Sequence, residues 1–156
     1  MFEVEQLKER IIVPTLAYLN LYSESAVNLL LGTAAQESRL GTFIHQLGNG
    51  PAEGIYQMEP DTERDIQNNF LKYRTDLDKK VSTLRLSTDE FPEMEGNLYY
   101  ATAMCRIHYL RQLAALPGPN DIYGLANYWK DYYNTHLGAG TVDEFIHNYE
   151  RYILGE

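Results

Sequence analysis

Apolar residues recur at helical spacing along almost the whole chain, and glycine, proline and asparagine punctuate them at short intervals. The densest run, Val27 to Ala35, follows Ser23-Glu24-Ser25-Ala26, which reads as a helix start. A buried helix is therefore predicted from Ser23 to Leu40, with Gly41 as its stop. Ahead of it, Val4 to Leu21 carries helical spacing broken by Pro14, which predicts two short helices or one bent near Val13. Behind it, Gly41 to Pro51 holds Gly41, Gly48, Gly50 and Pro51 without periodicity and is read as a loop.

Further along, Asp61 or Thr62 is expected to cap a helix running to about Tyr73, with Glu63 complementing the dipole in its first turn. Asp76 to Leu86 offers a short helix, and Ser87 to Glu95, with Pro92 and several acids, reads as a connector. Gly96 to Leu116 is the second strong helix, with Leu98, Ala101, Cys105, His108 and Leu110 among its periodic positions. Pro117-Gly118-Pro119 stops it. Asn120 is expected to cap a helix through about Asn134, and Thr141-Val142-Asp143-Glu144 forms a capping box before the last one. Strand signals are scarce, so the expected fold is mainly α, one domain over residues 1–156, with at most a small β element.

The chain is long enough to bury a core of its own, and it contains no repeat of solenoid period. Its N-terminus, Met1-Phe2-Glu3-Val4-Glu5, lacks the basic start and apolar centre of a signal peptide, and no apolar run reaches the length of a membrane span. The expectation is a protein made in the cytoplasm without a signal peptide. The single cysteine, Cys105, excludes an internal disulfide. His45, His108, His136 and His147 show no metal-ligand spacing, and no phosphate loop or nucleophile elbow is present, so no metal and no cofactor is expected. A net charge of -9 disfavours nucleic acid as an electrostatic partner, and none is expected.

The most informative residues are Ala34-Ala35-Gln36-Glu37-Ser38-Arg39, followed after the glycine-rich loop by Gly54-Ile55-Tyr56-Gln57-Met58. Helical spacing makes Leu30, Thr33 and Ala34 the neighbours of Glu37, which places one carboxyl at the C-terminal end of an apolar helix. Apolar surroundings and the negative helix end both disfavour its anion, so its pKa is expected to rise toward neutrality, where a carboxyl can act as a general acid.

Glu37-Ser38, Gly54 to Met58 and Leu125-Ala126-Asn127-Tyr128 together resemble the soluble lytic transglycosylase and goose-type lysozyme superfamily, over roughly Ala26 to Tyr149. Tyr128 to Thr135 with Gly138-Ala139-Gly140-Thr141 resembles its phage-borne branch. The resemblance implies a lysozyme-like fold and a peptidoglycan-cleaving enzyme of phage or virion origin. Glycan strands would be its partner, along with other virion proteins, and the Gly41 to Pro51 loop would rim the cleft. Carried over by position, Glu37 is the catalytic acid, and Ser38, Gly54, Tyr56, Gln57 and Tyr128 bind or orient substrate. The family pattern has Tyr-Asn after Ala-x, whereas Trp129 follows Tyr128 here and a Tyr-Asn pair appears at Tyr133-Asn134, so Tyr132 and Tyr133 are reserves. Trp129 is read as a buried anchor or as the lining of a sugar subsite.

Two chemistries share this general acid. A transglycosylase uses the C6 hydroxyl of the muramic acid as nucleophile and needs only Glu37. An inverting lysozyme holds a water with a second carboxylate, for which Glu53, ahead of Glu59 and Asp61, is the candidate. The acidic charge suits an enzyme delivered to the wall better than a free lysin. A non-catalytic virion or wall-binding module with the same fold is the reading from another class.

Overall fold

The computed structural model describes residues 1–86, 90–134 and 138–156. Among these, the elements are mainly helical: α1 (Val4–Leu7), α2 (Val13–Tyr18), α3 (Glu24–Ser38), α4 (Pro60–Asn69), α5 (Thr75–Leu84), α6 (Glu93–Gly96), α7 (Leu98–Leu110), α8 (Ile122–Trp129) and α9 (Val142–Asn148). No helix among the described residues is long and apolar enough to cross a membrane.

Helix α3 is the axis of the core. Leu29, Leu30, Ala34 and Ala35 are fully buried, and α7, α8 and α9 pack around it. Its start follows the expected chemistry, with Ser23 Oγ accepting from the Ala26 amide at 3.0 Å. Gly32 permits the closest approach on the α9 side, where a Cβ would lie 2.4 Å from the Phe145 ring. The helix ends at Ser38, because Arg39, Leu40 and Gly41 all take the left-handed conformation, at φ 52°, 55° and 74°. Two non-glycine residues in that region are costly, and the burial of Leu40 offsets part of the strain.

Wide π turns shape three of the other helices. Of the two forms expected for the first segment, the single helix is the one observed: α1 continues through a π turn, Lys8–Ile12, into α2, and the wide turn lies directly ahead of Pro14, where a proline interrupts the regular α ladder. A second π turn, Lys130–Asn134, follows α8, and a third, Tyr149–Leu154, follows α9.

The boundaries around α4 to α8 differ from the sequence reading. Helix α4 begins at Pro60 and ends at Asn69, with a single 3₁₀ turn, Leu71–Tyr73, completing the expected span. Helix α7 starts at Leu98, where Asn97 caps it through the Tyr100 amide at 3.0 Å, and stops at Leu110, six residues short of Leu116. The cap of α8 is Asp121 rather than Asn120, its Oδ1 accepting from the Gly124 amide. Thr141 caps α9 as expected. The connector expected over Ser87 to Glu95 contains the short α6, and Ser87, Thr88 and Asp89 lie outside the described residues.

The β element is minimal: antiparallel bridges join His45 to Glu53 and Glu53 to Met58. Glu53 and Met58 exchange both backbone N–H···O hydrogen bonds at 3.0 Å, so residues 53–58 form a small closed hairpin.

Candidate active site

Helix α3 delivers Glu37 to the wall of a cleft of about 700 Å³, lined also by Gln46, Gln57, Met58, Glu59, His108 and Tyr133. Glu37 Oε1 accepts a hydrogen bond from the Trp129 indole N–H at 2.9 Å. Trp129 is wholly buried against Phe145, with ring centroids 5.4 Å apart. Burial pushes the Glu37 carboxyl up from its ordinary 4.5 to about 7, and the indole hydrogen bond pulls weakly the other way. A carboxyl in this state is half protonated at neutral pH, which suits it to give and take a proton in one reaction cycle.

Behind Glu37 lies an aromatic floor. Tyr133 donates its hydroxyl to the Tyr56 carbonyl at 2.6 Å and stacks on Tyr109 at 5.3 Å, and the Tyr109 hydroxyl meets Thr33 Oγ1 at 2.8 Å. Burial raises the phenol pKa of Tyr56, Tyr109 and Tyr133, so all three remain neutral hydrogen-bonding groups at physiological pH. Burial likewise raises the Cys105 thiol, which makes it an inert core residue.

The residues expected to touch substrate divide into two sets. Glu37 and Gln57 line the cleft. Gln57 adopts φ 48° and donates Nε2 to the Gly54 carbonyl at 2.9 Å, which leaves its Oε1 as an acceptor. Ser38, Gly54 and Tyr56 instead build the hairpin that carries Gln57. The Ser38 hydroxyl, fully buried, donates to the Ile55 carbonyl at 2.6 Å and accepts from the Gly41 amide at 2.8 Å, so it ties the end of α3 to the hairpin rather than to Glu37. Gly54, at φ 78°, is required by backbone: a Cβ there would lie 2.1 Å from the Met94 carbonyl oxygen, so the close approach is to protein and not to a glycan. Tyr56 is buried, with its hydroxyl 2.9 Å from Thr102 Oγ1.

Tyr128 is displaced from the role expected of it. Its hydroxyl donates to the Ala114 carbonyl at 2.8 Å, and the tyrosine that lines the cleft with Glu37 is Tyr133, in the π turn beyond α8. Tyr132 packs edge-on against Tyr128 at 4.6 Å. The expected second carboxylate is also placed differently. The residues around Glu53 are His45, Glu95 and Glu63, and burial followed by the charges of Glu95 and Glu63 raises its pKa. The carboxylate that shares the cleft with Glu37 is Glu59, at the N-terminus of α4.

Two features escaped the sequence reading. Lys130 donates to Asn134 Oδ1 at 2.7 Å and to the carbonyls of Gly138 and Gly140 at 3.1 and 2.6 Å, clasping the loop whose Gly140 rests against the indole of Trp129. Thr135, His136 and Leu137 lie outside the described residues. His108 joins the cleft from α7, its Nδ1 2.9 Å from Arg111 Nη2. Burial, then the Arg111 charge, pushes its imidazole down from 6.5 to about 4. Its position in the helical pattern was legible; its chemistry depends on partners that spacing does not reveal.

Comparison with protein-family models, curated proteins and solved structures yields no match to this chain.

Proposed function

We propose that this protein is a lytic transglycosylase that cleaves the β-1,4 bond between N-acetylmuramic acid and N-acetylglucosamine in peptidoglycan. The observation that carries the reading is Glu37: one carboxyl, poised near neutrality, on the wall of a cleft large enough for sugar residues. The ordered resemblance of Glu37-Ser38, Gly54 to Met58 and Leu125 to Tyr128 to the transglycosylase and goose-type lysozyme superfamily supports it. The mainly helical fold agrees with a lysozyme-like domain.

In this mechanism the neutral Glu37 protonates the glycosidic oxygen as its bond to C1 breaks, and the N-acetylglucosamine leaves with a free 4-hydroxyl. The C6 hydroxyl of the muramic acid then attacks C1, and its proton passes to the Glu37 carboxylate. The products are a 1,6-anhydro ring and a regenerated acid, with no second protein carboxylate required. Trp129 would hold Glu37 in position throughout. The net charge of -9 favours delivery by a virion or a partner over free diffusion to an anionic wall.

Hydrolysis is the second reading, favoured by Glu59 in the same cleft, which could hold a water for inverting attack. Mass spectrometry of muropeptides released from purified peptidoglycan separates the two. Anhydro-muramyl products from the parent and none from Glu37→Gln are expected; reducing-end products would mean a lysozyme. If the folded parent released nothing, a non-catalytic wall-binding role would replace both.

A further inference from the structure

His108 brings to the cleft a hydrogen-bond donor whose direction is set from outside the cleft. Its Nδ1 lies 2.9 Å from Arg111 Nη2, and a guanidinium has protons to give and no lone pair, so Nδ1 is the acceptor. Arg111 is itself held, with Nη1 donating to Asp65 Oδ2 on α4 at 2.7 Å. A neutral imidazole that accepts at Nδ1 carries its proton on Nε2. That nitrogen has no hydrogen-bond partner among the described residues and is not sealed in the interior, where Arg111 Nε is the unpartnered buried side-chain atom. The ring is fixed edge-on to Tyr133, with centroids 5.1 Å apart at 74°.

Several neighbouring cleft groups are partly committed. Tyr133 spends its proton on the Tyr56 carbonyl, Gln57 Nε2 gives one of its two protons to the Gly54 carbonyl, and Asn134 Oδ1 accepts from Lys130. Amide and hydroxyl donors also line the cleft, at Gln46, Gln57, Thr62 and Asn134, but each of those side chains carries an acceptor as well, whereas the neutral His108 ring, its Nδ1 occupied by Arg111, presents a donor alone. A neutral N–H backed by a guanidinium matches an amide carbonyl oxygen, which only accepts. It mismatches an ammonium, which would meet another donor with a positive charge behind it.

We propose that His108 Nε2–H receives the acetamido carbonyl of a 2-acetamido sugar in the cleft, so that the relay Asp65, Arg111, His108 selects N-acetylated over de-N-acetylated glycan. The inference rests on the glycan-cleaving reading above. The ring remains neutral at working pH because burial and Arg111 hold its pKa near 4. His108 is a specificity-determining residue in this scheme and takes no part in the proton transfers of Glu37.

The test is NMR titration with N-acetylglucosamine hexamer and its fully de-N-acetylated counterpart, together with ¹⁵N spectra of the His108 ring. The wild-type ring is expected to carry its proton on Nε2 between pH 6 and 8, and the acetylated hexamer should bind the more tightly. His108→Phe should lower the ratio of the two affinities about tenfold, the scale of one hydrogen bond, while His108→Gln, which retains a donor, keeps most of it. Arg111→Met leaves the imidazole in place and removes the lock, so it should mix the tautomers and lower the same ratio; it serves if His108→Phe does not fold. A proton on Nδ1 in the wild type, or an unchanged ratio in a folded His108→Phe or Arg111→Met, overturns the inference alone. Failure of the folded wild type to bind either hexamer overturns the glycan reading and the inference with it.

Discussion

The indole N–H of Trp129 donates to Glu37 Oε1 at 2.9 Å, joining a fully buried aromatic residue of α8 to the last turn of α3. An indole can only donate, so Oε1 acts as acceptor and Oε2 is left to carry the proton of the neutral acid. One contact thus orients the carboxyl and restrains its pKa.

Trp129→Phe keeps most of the packing against Phe145 and removes the donor. The Glu37 pKa should rise further, by up to about one unit, with a loss of about 1–2 kcal/mol in stability. The descending limb of the pH profile of muropeptide release should move upward accordingly. An unmoved limb would show that the indole bond does not act on the titrating form.

Glu37 and His108 should tilt the pH dependence of stability in opposite directions. Glu37 has a folded pKa of about 7 against an ordinary 4.5, so its contribution is lost as pH rises from about 4.5 to 7. His108 has a folded pKa of about 4 against 6.5, so its contribution is lost as pH falls from about 6.5 to 4. Each is worth about 3 kcal/mol across its window, and between pH 4.5 and 6.5 the slopes offset each other. Urea denaturation at several pH values should show Glu37→Gln gaining about 3 kcal/mol on the parent at pH 8 relative to pH 4. His108→Gln should show the reverse tilt, gaining on the parent toward low pH.

Tyr128→Phe and Tyr133→Phe distinguish the tyrosine expected from the sequence from the one the cleft contains. Tyr128 bonds the Ala114 carbonyl, so its loss should cost about 1 kcal/mol of stability and leave the rate of glycan cleavage within about threefold. Tyr133 anchors the Tyr56 carbonyl beneath the hairpin that carries Gln57, and its loss should lower the rate by about tenfold at saturating glycan. The reverse order of effects would restore Tyr128 to the site.

Gly54→Ala combines φ 78° with a methyl 2.1 Å from the Met94 carbonyl oxygen, and the backbone must move to admit it. A loss of at least about 3 kcal/mol is expected by denaturant titration. Gly48→Ala, at φ 78° with open space around its Cβ, should cost about 1 kcal/mol and serves as the control for conformation alone.

Lys130→Met leaves the Gly138 and Gly140 carbonyls and Asn134 Oδ1 without their shared cation. A loss of about 3 kcal/mol is expected, and amide exchange at Gly138, Ala139 and Gly140 should quicken at least tenfold if the clasp orders this loop.

What could be read in the sequence was chiefly local. Ser23 and Thr141 are caps because a hydroxyl three residues ahead of an amide needs nothing distant. The raised pKa of Glu37 follows from the apolar helix that carries it. The failures share a cause in longer-range geometry. Ser38 bonds Ile55 seventeen positions on, His108 depends on Arg111 held by Asp65 on another helix, and the choice between Glu53 and Glu59 rests on how a six-residue hairpin folds. Tyr128 was preferred to Tyr133 by its place in the family pattern, and a place in a pattern does not reveal that the chain beyond Trp129 winds as a π turn that carries Tyr133 to the cleft.

That winding bears on ancestry and alignment. A π turn accommodates one residue more than the α turn it replaces, so the segment from Trp129 to Asn134 is equivalent to an α-helix that has absorbed a single-residue insertion without breaking. Deleting one residue there would rewind the helix and swing Tyr133 about 100° around the axis, while Trp129 on the preceding turn would keep its hold on Glu37. Relatives that lack the extra residue would present a different side chain at this point in the cleft wall, and an ungapped alignment across it would pair residues that do not occupy the same place.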